Sequence, residues 1–238
     1  MKKLVILTGA GMSAESGIST FRDSDGLWEK YRVEEVATPE GFAANPELVL
    51  DFYNQRRREL LKTAPNAGHT GLAELEKYFE VFIITQNIDN LHERAGSTNI
   101  IHLHGELMKS RSTGYPYTVY DLNPEAPDIR PGDKDEKGYQ LRPHVVWFGE
   151  SVPMIEPAIE LARQADIFVV IGTSLNVYPA AGLLHYVPKG TPVYLIDPKD
   201  VDACRSDVHY IKAGASEGVK QLTALLLNQE GADTNGAV

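Results

Sequence analysis

The chain has 238 residues, 42% of them hydrophobic and 24% charged, the balance of a soluble globular protein with room for one substantial α/β domain and an inserted lobe. Its formal charge of −10 argues against general binding to nucleic acid or an anionic membrane and suits an encounter with lysine-rich protein surfaces. A single cysteine, Cys204, excludes an internal disulfide and a cysteine-based metal site, as expected of a cytoplasmic protein, and no apolar run approaches the length of a membrane span.

Residues 4–7 are a short apolar run of the kind buried in a parallel sheet. The run breaks at Thr8-Gly9, too early for the core of a signal peptide. It leads into Gly9-Ala10-Gly11-Met12-Ser13-Ala14, where two glycines let the backbone turn tightly against a pyrophosphate and Ala14 stands in place of a third. Alone, this fragment fits a nucleotide loop and an ordinary strand-to-helix turn equally well. Its continuation is unlike a dehydrogenase: Gly17 and Thr20-Phe21-Arg22 interrupt the helix, and no second strand ending in Asp or Glu follows at the usual distance.

Residues 24–28 read as a turn, and Ala37-Thr38-Pro39-Glu40 as a helix start. Residues 45–62 are helical, with Asn45 as N-cap and Pro46 at the first position. On that helix Tyr53 and Arg56 lie three residues apart and share a face, where a phenol beside a guanidinium can grip a carboxylate. Arg57 and Arg58 read as a solvated surface.

After a helix over residues 70–78, residues 81–85 form a second buried strand. It ends at Gln86-Asn87-Ile88-Asp89, a cluster of polar side chains at the carboxyl end of a sheet strand. Residues 91–95 are a short helix closed by Gly96. Residues 99–105 are a third strand with His102 and His104 on one side. His104, at the strand end beside a glycine, is the candidate base, and His102 a hydrogen-bonded support. The competing His-x-His metal site lacks a third ligand with matching spacing.

Residues 109–142, rich in proline, glycine and charge, form a loop-rich lobe over the sheet. Residues 141–150 return to an apolar strand whose exit, Phe148-Gly149-Glu150, offers backbone to an added strand. A helix over 155–164 precedes the buried strand 166–172, which ends in Gly172-Thr173-Ser174. Residues 192–197 repeat that arrangement and end in Asp197, which can accept from both hydroxyls of a ribose. A short strand over 208–211 and a helix over 217–228 with Ser216 as N-cap complete the chain, and residues 231–238 are expected to be a disordered tail.

The Gly9–Ile18 stretch with Phe21-Arg22, then Gln86-Asn87-Ile88-Asp89, His104-Gly105, Val145-Val146-Trp147-Phe148-Gly149-Glu150 and Gly172-Thr173-Ser174 resemble, in this order, the motifs of sirtuins of the bacterial CobB type. The resemblance covers nearly the whole chain. It implies an α/β fold with a Rossmann-like parallel sheet and helices on both faces over residues 1–28, 63–107 and 144–238. A small inserted domain would take 29–62, a helical segment, and 108–143, a degenerate zinc-ribbon-like segment. The implied activity is NAD-dependent removal of acetyl, succinyl or malonyl groups from protein lysines, giving nicotinamide, free lysine and O-acyl-ADP-ribose.

By the same resemblance Gly9, Ala10, Gly11, Ala14 and Arg22 hold the NAD phosphates and Phe21 shields the nicotinamide ribose. Gln86, Asn87, Ile88 and Asp89 receive nicotinamide, and Gly172, Thr173, Ser174, Asp197 and Ala215 hold the adenosine half. His104 would take a proton from a ribose hydroxyl, with Asn87 as its catalytic partner. Val145, Phe148, Gly149 and Glu150 would pair with the acylated peptide, whose acyl group would enter a pocket beside Ala37, Tyr53 and Arg56, the Tyr-x-x-Arg pair of sirtuins that accept acidic acyl groups. Two departures stand out. Ser112 and Tyr115 occupy the region of the first zinc-binding cysteine pair, so the lobe should be zinc-free, and Asp197 replaces the usual Asn. A monomer binding neither nucleic acid nor membrane is expected. The alternatives are a mono-ADP-ribosyltransferase and a non-catalytic NAD or ADP-ribose sensor.

Overall fold

The computed structural model describes residues 1–18, 31–115 and 117–235. Six parallel strands form the main sheet: β1 (Lys3–Thr8), β2 (Glu80–Thr85), β3 (Ile100–His102), β7 (Ile167–Ile171), β8 (Val193–Ile196) and β9 (Val208–Ile211). They lie in the order β3-β2-β1-β7-β8-β9. Strand order therefore reverses between β1 and β7, and a doubly wound sheet opens a crevice at the carboxyl ends there.

The apolar runs that mark these strands are each two alternating sets. Leu4, Ile6, Ile83, Val169 and Ile196 face one core, filled by Leu72 of α5 (Ala67–Leu75) and by Val219 and Leu222 of α8 (Ala215–Asn235). Val5, Leu7, Ile84, Val170 and Leu195 face the other, filled by Ala158 and Ala162 of α7 (Ile155–Arg163) and by Leu183 and Leu184 of a 3₁₀ segment, Ala180–Tyr186. Helices on both faces are what a strand without polar alternation requires.

The lobe begins with α2 (Val33–Val36), α3 (Pro39–Ala44) and α4 (Pro46–Leu60). Thr38 caps α3 by accepting from the Gly41 amide at 3.0 Å, and Asn45 caps α4 by accepting from the Leu48 amide at 3.1 Å. Asn45→Ala is expected to cost about 0.5–2 kcal/mol, read as a lowered unfolding midpoint in urea. Helix α6 (Leu91–Ala95) ends on Gly96, in the left-handed region at φ 102° as anticipated.

Residues 99–105 are not one strand. β3 stops at His102, and Gly105, at φ +81°, opens a new strand, β4 (Gly105–Ser112). A Cβ at Gly105 would lie 2.1 Å from the His144 carbonyl oxygen, so glycine is obligatory at this crossing. β4 pairs antiparallel with β5 (Val119–Asp121) and β6 (Leu141–Val145), making a three-stranded sheet; β6 falls in the strand expected over 141–150, while β5 and most of β4 replace expected loop. Ser112 ties this sheet together in the region where zinc cysteines would stand. Its hydroxyl donates to Asp135 Oδ2 at 2.5 Å and accepts from the Gly114 and Tyr115 amides, while Asp135 Oδ1 accepts from the Lys137 and Tyr139 amides.

Two further expectations are corrected. Arg57 is fully buried, not solvated; its Nη1 donates to Asn54 Oδ1 at 2.9 Å, and burial pulls its pKa down to about 10. Asn54 in turn exchanges two 2.9 Å hydrogen bonds with the Ile129 backbone, fastening the helical and the sheet-bearing parts of the lobe together. Helix α8 starts at Ala215 and runs through Gly231 to Asn235, so Ser216 lies in its first turn and the expected tail is helical that far. Among the described residues no helix is long and apolar enough to cross a membrane.

Candidate active site

The turns that leave β1 and β7 touch backbone to backbone at the point where strand order reverses. The Gly9 amide donates to the Ile171 carbonyl at 3.0 Å and the Gly11 amide to the Gly172 carbonyl at 2.8 Å. A Cβ on Gly11 would lie 2.6 Å from Gly172 Cα, and one on Gly172, at φ +62°, 2.4 Å from the Met12 nitrogen. These glycines let two strand ends close on each other. Gln86, at the end of β2, supplies a third wall by donating from Nε2 to Thr173 Oγ1 at 3.1 Å. Asp197 follows β8, where its Oδ1 accepts from the Lys199 amide at 2.8 Å, and buried Ala215 opens α8. Ala10 and Ala14 bound α1 (Ala10–Ala14). Phe21 and Arg22 lie outside the described residues.

Behind these turns runs a chain of polar side chains. Asn87 Nδ2 donates to the Gly9 carbonyl at 3.0 Å and to Ser13 Oγ at 3.1 Å. Ser13 Oγ donates to Asp89 Oδ2 at 2.9 Å, and Asp89 Oδ1 accepts from the Leu91 amide at 3.1 Å. Burial pushes the Asp89 carboxyl above its ordinary value, against those hydrogen bonds. Ser13 carries the link between the glycine turn and the Asn87–Asp89 segment. Sequence reading passed over it, although its place one helical turn after Gly9 is a usable signal.

His104 lies in the turn between β3 and β4, with Nδ1 3.0 Å from the Gln86 carbonyl oxygen. A carbonyl only accepts, so Nδ1 carries the proton and Nε2 keeps a lone pair. Burial lowers the pKa of this ring from 6.5, so it stands neutral at pH 7, as a general base must.

The exit of β6 is tied to two parts of the site through its backbone. The Val146 amide donates to the His104 carbonyl at 2.9 Å and the Phe148 amide to the Ala37 carbonyl at 3.0 Å. Phe148 itself is half exposed, and Gly149 adopts φ +90°. Buried Val145, Ala37, Tyr53 and Trp147 share one apolar cluster. Trp147 Nε1 donates to the Tyr53 hydroxyl at 3.0 Å, and burial raises the Tyr53 phenol to about 12. Arg56, one turn along α4, has its guanidinium 5.6 Å from the Phe52 ring centroid. Burial lowers its pKa while the nearby Tyr53, Glu59 and Asp89 oppose that shift.

The Glu150 side chain has a task besides the main-chain pairing expected of this segment. Its carboxylate accepts from both terminal nitrogens of Arg142 at 2.6 and 3.1 Å, from Arg111 at 2.9 Å and from the Trp147 amide at 2.8 Å. The Arg142 guanidinium lies 3.3 Å from the Trp147 ring centroid. Glu150 therefore spends its carboxylate on fixing Trp147 and the lobe sheet, leaving only its main chain for a peptide. Trp147 was missed as a site residue because an apolar strand is indistinguishable, in sequence, from packing.

A family model described as the Sir2 family matches residues 9–179. The chain belongs to the Sir2 family. It is 63% identical over 231 residues to a Bacteroides thetaiotaomicron protein named NAD-dependent protein deacylase, covering 95% of this chain and 99% of that one. A Helicobacter pylori protein of the same name is 52% identical over 228 residues, covering 95% and 98%. A solved Sir2 homologue in complex with NAD superposes with a TM-score of 0.86 at 42% identity, over 96% of this chain and 90% of that one. For a Sir2 protein the donor set just described fits NAD. It offers a backbone-lined notch for a pyrophosphate, amide and carboxylate side chains at one end, and hydroxyl and carboxylate acceptors beyond β7 and β8 at the other.

Proposed function

We propose that this chain is an NAD-dependent protein-lysine deacylase that accepts acetyl groups and favours succinyl and malonyl groups, yielding nicotinamide, free lysine and O-acyl-ADP-ribose. The observation that carries the acyl preference is the pairing of Tyr53 and Arg56 on one face of α4, with the Tyr53 hydroxyl held by Trp147 beside Ala37. A positive group in an apolar pocket favours a carboxylate and adds nothing to an acetyl group.

When bound, NAD would supply a ribose carbon that the acyl oxygen can attack as nicotinamide leaves. The chain's residues do the rest. Gly9, Gly11 and Gly172 shape the pyrophosphate notch together with Ala10 and Ala14, and the family resemblance assigns phosphate contact to Arg22 and shielding of the ribose to Phe21. Thr173, Ser174, Asp197 and Ala215 hold the adenosine end. Gln86, Asn87, Ile88 and Asp89 bind and orient the leaving carboxamide. His104 takes a hydroxyl proton at Nε2, its ring held by the Nδ1 contact with the Gln86 carbonyl. Val145 and the main chain of Phe148, Gly149 and Glu150 receive the peptide as an added strand.

The test is nicotinamide release from NAD with matched acetyl-, succinyl- and malonyl-lysine peptides. Arg56→Met should lose about 10- to 100-fold in kcat/KM on the two acidic substrates, the worth of one charge-assisted hydrogen bond, and keep the acetyl reaction. An equal loss on all three would remove Arg56 from acyl recognition.

A further inference from the structure

His102 is the last residue of β3 and its side chain is 8% exposed. Its Nδ1 lies 3.1 Å from the Asn87 carbonyl oxygen and its Nε2 2.7 Å from Glu93 Oε1 on α6. A carbonyl and a carboxylate are both acceptors without a proton to give. Both ring nitrogens must then donate, which only an imidazolium can do. Among the described residues His104, two residues on, faces a single acceptor, the Gln86 carbonyl. The two histidines of the H-x-H motif therefore hold two consecutive carbonyls of the same loop, one ring charged and the other neutral.

We infer that the His102–Glu93 ion pair is a positioning device: the charged ring donates to the Asn87 carbonyl and thereby fixes and polarises the Asn87–Ile88 peptide on the nicotinamide side of the site. This rests on the roles proposed above for Asn87 and Ile88. A hydrogen bond from an ionised donor is shorter and about twice as strong as a neutral one. Polarising a peptide carbonyl also strengthens its N–H as a donor, here the Ile88 amide. The same carbonyl belongs to Asn87, whose side chain is fastened to Gly9 and Ser13. Asn87 is thus held at its main chain by the ring and at its side chain by Gly9 and Ser13.

The surroundings of His102 support a retained charge. Glu93 faces it from α6, Glu106 from β4 and Asp89 from the loop after β2, with His92 of α6 as a neighbour of opposite effect. Glu106 is itself paired with Lys109 Nζ at 2.9 Å, so Glu93 is the dominant partner. Against the desolvation of burial, these contacts raise His102 above 6.5 and hold Glu93 below its ordinary value.

The charge is read directly by two-dimensional ¹⁵N spectra of the histidine rings at pH 7.5 with a chelator present, assigned with His102→Gln and His104→Ala. Both nitrogens of His102 should be protonated in the wild type and only one in Glu93→Gln, which keeps the ring and its Nδ1 donor. A neutral His102 in the wild type overturns the inference. In kinetics, Glu93→Gln should lower kcat for nicotinamide release about five- to tenfold with the KM for acyl peptide unmoved and the melting curve retained. If the charge is lost in Glu93→Gln without slowing the reaction, the positioning role falls while the deacylase reading stands. If His104→Ala keeps full activity, the reading of the site falls instead.

Discussion

His104→Ala is expected to lower acyl removal by about 10²- to 10⁴-fold, the usual worth of a positioned general base, with NAD affinity by calorimetry little changed. The separation follows from the contacts. Among the described residues the ring's hydrogen bond is to the Gln86 carbonyl, apart from the Gly9–Ile171 and Gly11–Gly172 turn contacts proposed to shape the pyrophosphate notch. The pH profile makes the assignment sharper. Because burial lowers His104 below 6.5, its base form predominates at neutral pH, and kcat/KM should fall on the acid side, with a midpoint below 6.5. A midpoint above 6.5, or retained activity in the alanine variant, would give the proton to another group.

Acid should destabilise the fold well before ordinary carboxylates protonate. His69 and His92 are buried, their rings 4.8 Å apart between centroids. Burial lowers His69 from 6.5 to about 4, and burial together with the neighbouring His69 and His102 takes His92 well below 6.5. Both pKa values are lower folded than unfolded, so the unfolded chain binds more protons as pH falls. The stabilisation is complete above about pH 6.5 and disappears as pH falls toward the folded values. For His69 alone the full shift corresponds to about 3 kcal/mol. Urea unfolding at pH 7.5 and pH 5 should show the wild type losing about 2 kcal/mol more than His69→Gln. Equal losses in the two proteins would mean that His69 is not the group responsible.

What could be read in advance follows from how residues signal burial. Strands β1, β2 and β7 stand out because a sheet covered on both faces leaves no polar alternation, and the cap Asn45 because its side chain acts on the next turn. Most of β4 was invisible because it buries Ser110, Arg111 and Ser112, polar residues satisfied in part by partners far along the chain, such as Asp135 and Glu150. Arg57 was misread for a similar reason, since a charge counts as surface until Asn54 and the Asp128 charge come into view. In the site, the residue types of Asn87, Asp89 and His104 were legible from their places at strand ends. The Ser13 bridge, the task of Glu150 and the charge of His102 were not, because each is set by partners that only folding brings near.

The proposed base and acyl pocket are joined to the segment after β6 by the bonds from the Val146 and Phe148 amides to the His104 and Ala37 carbonyls. Main-chain bonds do not depend on which side chains their residues carry, proline excepted. Selection can therefore rewrite side chains on the surface proposed to meet incoming peptides, at Phe148 for instance, while the main-chain bonds to the proposed base remain. A catalyst wired in this way can change its clientele by point substitution and keep its reaction.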